Sequence, residues 1–299
     1  MDNTATLTRK EILKKYKKKS QLREFWYRFT RNRMAIVGLV LMLIIIIAAV
    51  VAPLVLDYDT QAVGRNVRER LQGPSASHIF GTDDMGRDVL TRLLFGARTS
   101  LMIGFISCAL SLIIGGVLGA IAGYVGGILD EIIMRIMDIM MCLPEMLLAI
   151  AIVAALGPSV VNLILAIGIS RIPRFARIVR SAVLTVRDTE YVEAARAIGA
   201  SNRVIISRHV IVNCMAPIIV QATIIFASAI LAISSLSFLS LGIQAPAPEW
   251  GNMLSEGREY MRLYPHLVLA PGLAIFASIF SLNLLGDGLR DALDPRLKQ

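Results

Sequence analysis

Long uncharged apolar blocks, separated by short polar stretches, divide this chain from Met34 onward. Met34 to Leu56 runs 23 residues without a charge, and Thr99 to Leu129 runs 31. A helix needs about 20 apolar residues to cross the hydrocarbon core of a bilayer, so each block predicts a span. Ile132 to Leu156 predicts a third, although Arg135, Asp138 and Glu145 interrupt it. Gly157-Pro158 reads as a turn, after which Ser159 to Ser170 begins a fourth. That short run continues into Arg171, Arg174, Arg177 and Arg180, whose three-residue steps keep them near one helix face. There they can snorkel to lipid phosphates. His209 to Pro248 is a 40-residue stretch without Asp, Glu, Lys or Arg, predicting a fifth span and then an irregular Gly/Pro-rich segment. Leu263 to Gly286 supplies the sixth. The pattern predicts an all-α, polytopic membrane protein with six transmembrane helices.

Composition agrees. The 299 residues are 56% hydrophobic and 18% charged, too apolar and too charge-poor for a soluble enzyme. The net charge of +9 would point to nucleic acid in a soluble chain. Here the basic residues flank apolar blocks, so anionic lipid is the expected partner, with no nucleic acid. Of the 31 Lys and Arg residues, 23 fall on segments that share a side with the N-terminus, which puts both termini in the cytosol. Leu22, Phe25, Trp26 and Phe29 recur at helical spacing, with Arg23, Arg28 and Arg31 off that stripe. They predict an interfacial amphipathic helix ahead of the first span. The first apolar block exceeds a signal-peptide core and no A-x-A site follows, so it should remain as an anchor. Cys108, Cys142 and Cys214 lie in apolar stretches without metal-type spacing and read as packing residues.

The stretch from Asp188 to Ser201 writes a short helix, a tight turn and a second helix. Asp188 or Thr189 can cap the first helix, and Gly199 can take the left-handed conformation that ends it. Tyr191, Ala194, Ala195 and Ile198 line one face, and Glu193 and Arg196 supply polar contacts. Small alanines permit close approach of another protein, so this loop suits docking better than catalysis. Glu193-Ala194-Ala195 followed by Gly199 resembles the EAA loop of binding-protein-dependent ABC importer permeases. Gly81 to Leu90, Ala245 to Gly251 and Gly286 to Pro295 are similar to the C-type permeases of dipeptide and oligopeptide importers, with glutathione and nickel importers closely related. Together the similarity covers roughly residues 20–299. One departure is Ile211-Val212, where the family pattern usually has Leu-Pro.

The resemblance implies a type I ABC importer permease fold in a bacterial or archaeal plasma membrane. It divides the chain into a basic N-terminal segment (1–33), a first span (34–56) and an external loop (57–98). A permease core (99–288) with a cytosolic coupling loop (187–213) and a cytosolic tail (289–299) follow. It implies that Glu193, Ala194, Ala195, Arg196 and Gly199 couple to an ATPase. The implied partners are a homologous B-type permease, two P-loop ATPases and an extracytoplasmic solute-binding protein. ATP and Mg would reside on the ATPases, leaving this chain no bound cofactor. Asp83, Asp84, Arg87, Pro248, Glu249 and Trp250 become candidate contacts for the binding protein, against the alternative of membrane anchoring alone.

Two intramembrane features add to this. Gly115, Gly119, Gly123 and Gly127 repeat every four residues and should pack against a neighbouring span or subunit. Arg135 and Asp138 lie one turn apart and can pair. Glu145, after Pro144, is an isolated carboxylate in the membrane and therefore a candidate functional group. It could meet a substrate amino group or an arginine of a partner permease. No G-x-x-x-x-G-K-[ST] or H-E-x-x-H occurs, and His78, His209 and His266 are scattered, so the chain reads as a transport subunit and not an enzyme. The competing reading is an ion-coupled secondary transporter acting alone, which would rely on Glu145, Asp138 and Arg135.

Overall fold

A computed structural model describes residues 21–293 of the chain. The Lys-rich segment 1–20 and the last six residues of the expected tail lie outside the described residues. The architecture is all helical, and among the described residues the only extended pairing is an isolated bridge between Thr82 and Asp88.

Helix α1 (Gln21–Arg31) leads into α2 (Arg33–Val55) through Asn32, whose side chain caps the second helix by accepting from the Met34 and Ala35 amides. Part of the expected N-terminal stripe is used inside the protein. Phe29 is buried against Ala35 and Ala292, with Phe25 beside it, while Trp26 and Tyr27 remain exposed.

A hydrogen-bonded connector, residues 57–88, separates α2 from α3 (Val89–Val125). The residues Val89 to Leu94 form no separate element. Asp88 caps them by accepting from the Thr91 amide, and they become the first turns of the 37-residue α3. A sharp turn at Gly126 starts α4 (Gly127–Met141), and Pro144 starts α5 (Glu145–Leu156), the pair bent by 84°. The predicted third span is therefore broken where proline withholds an amide. Next come α6 (Val160–Val186), α7 (Glu190–Ala197), α8 (Asn202–Phe238), α9 (Trp250–Gly257) and α10 (His266–Leu293).

By length and composition α2, α3, α8 and α10 can each cross a membrane, and the bent α4–α5 pair can form a fifth span. The predicted fourth span corresponds to α6, whose arginines keep it outside that set.

Three of the four predicted glycines do bring backbones together. A Cβ on Gly115 would lie 2.6 Å from the Ile172 carbonyl oxygen, one on Gly123 would lie 2.9 Å from that of Arg180, and one on Gly119 would meet that of Ala176. The contacts thus also step by four along α6, as small-residue packing in lipid requires. Gly127 lies past the break and faces open space.

Candidate functional site

Three groups of residues concentrate the polar chemistry of the fold. The first is the loop between α6 and α8. Helix α7 buries Val192 and Ala195 in a cluster with Val179, Val183, Ile205 and Val210. Buried and exposed positions differ from the predicted face, because Tyr191, Ala194 and Ile198 point outward, Ile198 with 85% of its surface exposed. Glu193, Arg196 and Gly199 are exposed as well. Thr189 occupies the cap position, but its hydroxyl donates to the Val186 carbonyl. Gly199 has φ +82°, and Ala200 donates back to the Ala195 carbonyl, closing the helix with a left-handed glycine. Arg196 lies over the Tyr124 ring at 5.8 Å, and interaction with that side chain raises its pKa. The result is an exposed helical hairpin anchored by its buried side on the ends of α3, α6 and α8.

The second group lies among α5, α6 and α8. Arg171 is 3% exposed, and its Nη2 lies 2.7 Å from Glu145 Oε1 and 3.1 Å from the Ser228 carbonyl oxygen. Its Nε is buried without a partner. The pair lines an open cavity of about 280 Å³ together with Met146, Ser170, Ser228 and Ser235. Two expectations are corrected here. Arg171 does not reach for lipid phosphates, and Glu145 finds its arginine within this chain. Two of the other three arginines are also paired, Arg180 with Asp130 at 2.6 Å and Arg177 with Asp138 at 2.6 Å, while Arg174 is exposed. Asp138 thus pairs across helices with Arg177, where Arg135 was expected.

The third group gathers at the opposite end of the long helices from α7. Arg87 Nε lies 2.6 Å from Asp83, and Arg87 and Arg92 share Glu256 at 2.9 and 2.8 Å. Gly86, at φ +75°, packs so close to the Asn66 carbonyl that a side chain has no room, and this holds the Asp83–Arg87 turn. Glu249 is fully buried, capping α9 through the Asn252 amide and accepting from the Ser100 hydroxyl at 3.0 Å. Trp250 is 1% exposed and donates to the Leu93 carbonyl at 2.9 Å. Asp83, Arg87, Pro248, Glu249 and Trp250 are therefore buried, and only Asp84 of that predicted set is partly exposed. The Asp83, Asp84 and Glu256 carboxylates converge within 4.8 Å. Arg87 and Arg92 in the same cluster offset two of these three negative charges.

Sequence reasoning missed Arg92, Arg171 as the partner of Glu145, and Glu256. Arg171 had a signal, because it is the most deeply placed of the periodic arginines. Glu256 had none, since its partners lie far away in the chain.

Residues 115–299 match the family described as binding-protein-dependent transport system inner membrane component. Residues 20–74 match the N-terminal transmembrane domain of oligopeptide transport permease C. The chain is 49% identical over 279 residues to the dipeptide transport system permease protein DppC of Alkalihalophilus pseudofirmus, covering 93% of this chain and 91% of that one. It is 47% identical to the di/tripeptide permease DppC of Pseudomonas aeruginosa, covering 93% of each. It is 42% identical to the glutathione transport system permease protein GsiD of Escherichia coli, covering 98% and 97%. Among solved structures, a chain of the inward-facing MetNI methionine ABC transporter matches with a TM-score of 0.56 at 19% identity, over 68% of this chain and 97% of that one. That likeness extends to the fold.

These relatives favour a transport subunit over the secondary-transporter reading, whose key carboxylate is in any case paired with Arg171. ATP hydrolysis belongs to separate subunits. The chain belongs to the family of inner membrane permease components of binding-protein-dependent ABC importers.

Proposed function

We propose that this chain is the C-type permease of an ATP-driven importer for di- or oligopeptides or related small solutes. It pairs with a homologous B-type permease, and each permease docks one of two P-loop ATPases that carry ATP and Mg. Six spans follow in this reading, with α6 the fourth and the α4–α5 pair the third, and both termini lie in the cytosol. Helix α1 lies at the membrane interface with Trp26 toward the headgroups.

The observation that carries the reading is the exposed hairpin at α7. Tyr191, Ala194 and Ile198 offer an apolar strip, flanked by Glu193 and Arg196, on a helix whose other side is fixed to the bundle. A strip of this kind transmits force only if a second protein covers it. ATP-driven closure of the ATPases then favours one permease state over the other, and the coupling energy is the difference in docking between those states. At the far end, the buried network around Asp83, Arg87 and Glu249 shapes the surface offered to a solute-binding protein, with Asp84 and the neighbouring loop in contact. Glu145 belongs to the solute pathway.

Affinity purification from native membranes tests this. Wild type should bring down a second permease and two ATPases. Gly199→Val forces a β-branched residue into a left-handed conformation costing about 1–3 kcal/mol, and should lose the ATPases while keeping the permease partner. A wild-type chain that purifies alone and still transports overturns the reading.

A further inference from the structure

The Glu145–Arg171 pair sits where an unassisted ion pair is costly. Arg171 is eleven residues from the Val160 end of α6 and Glu145 eleven from the Leu156 end of α5. At about 1.5 Å per residue both lie about 16 Å from those ends, near the middle of a bilayer core about 30 Å thick. Ionisable groups at that depth are rare and mark functional pathways. A purely structural latch would be expected to satisfy its own donors. Here the guanidinium is almost wholly buried, yet its Nε has no partner, and Nη1 reaches only the Ile167 carbonyl at 3.5 Å. Glu145, by contrast, is 39% exposed along its side chain. The cavity they line, about 280 Å³, falls just short of the usual range of ligand pockets, which begins at about 300 Å³.

We propose that this pair is the recognition element for a zwitterionic solute, a short peptide with both termini free. The inference rests on the importer reading and deepens it. The peptide carboxylate takes the place of Glu145 on Arg171, since a guanidinium presents parallel N–H donors to a carboxylate. The peptide ammonium binds Glu145, with the Ser170 hydroxyl oxygen on the same wall as a further acceptor. The exchange splits one internal pair into two external ones, and the net charge in the membrane is unchanged. A ligand carrying only one charge would leave either Arg171 buried and unpaired, which is strongly unfavourable, or Glu145 without a counter-charge. The site therefore selects against peptides blocked at either end, and against a bare cation. With no ligand, Glu145 and Arg171 close on each other, so the empty pathway holds no unpaired charge.

The test uses membranes containing the complete importer, with Ala232→Cys as a reporter on the cavity wall and Cys142→Ser to remove the exposed thiol. Alkylation of the reporter is timed with dialanine, N-acetyl-dialanine or dialanine amide present. Dialanine should slow alkylation about tenfold more effectively than either blocked peptide, the worth of one charge-assisted hydrogen bond. Glu145→Gln should remove the protection by dialanine. Should that variant fail to assemble, the peptide series on the intact pair decides alone. Equal protection by all three peptides, or by none, overturns the proposal. Dialanine uptake is recorded on the same membranes. ATP-dependent uptake without selective protection sinks the site alone, whereas uptake that never depends on ATP sinks the importer reading beneath it.

Discussion

Alanine at Gly119 would put a Cβ against the Ala176 carbonyl oxygen, where the backbones of α3 and α6 touch. The same substitution at Gly116, on the same helix, meets nothing nearer than the tip of Leu112 at 4.0 Å. Both replacements gain about 0.5–1 kcal/mol of helix propensity, so that contribution cancels between them. What remains is the overpacking at Gly119, about 1–3 kcal/mol, which cannot be relieved by rotating a side chain because the obstacle is backbone. Gly115→Ala and Gly123→Ala, with closest approaches of 2.6 and 2.9 Å, should fall between the two. The assay is the temperature at which the purified permease complex loses its monodisperse elution after heating. Gly116→Ala should match or exceed wild type, and Gly119→Ala should be lowest. Equal midpoints for these two variants would refute the argument, because they would mean that α3 and α6 can separate without cost.

Further predictions follow from the ion pairs and thiols. Glu256→Gln removes the carboxylate that Arg87 and Arg92 share, although Asp83 still faces both, and should cost about 1–3 kcal/mol in the same heating assay. Asp138→Asn breaks a pair whose side chains are 48% and 49% exposed and should cost less than about 1 kcal/mol. A loss as large as that of Glu256→Gln would show that the α4–α6 contact carries more than a surface pair can. In the folded protein Cys142 should be alkylated first by a thiol reagent, with Cys108 and Cys214 following only on denaturation, as mass spectrometry of the labelled chain would report.

How much of this was legible from sequence differs by feature. Apolar block length alone predicted α2, α3, α8 and α10, because a bilayer imposes about 20 residues on any helix that crosses it. The glycine period predicted close helix packing, since only a missing Cβ lets backbones meet. Gly199 likewise announced a left-handed helix end, and it has φ +82°. In these cases the physics is local, or has a fixed period along the chain.

Partner choice was not legible. Sequence placed Arg135 beside Asp138, but the geometry of three crossing helices gave Asp138 to Arg177 and Glu145 to Arg171. The face of α7 was misjudged for the same reason: periodicity gives a stripe, and only the neighbours decide which side of the helix it covers. Asp83, Arg87, Glu249 and Trp250 were expected at the surface, because the family resemblance makes their segments contacts for a binding protein. Tertiary structure buried them: Arg87, Glu249 and Trp250 meet partners far away in the sequence, and Asp83 is held by Arg87 four residues on. The chain's composition determined that it is a helical membrane protein. Which charges are neutralised, and which buried donor is left without a partner, depended on how those helices cross.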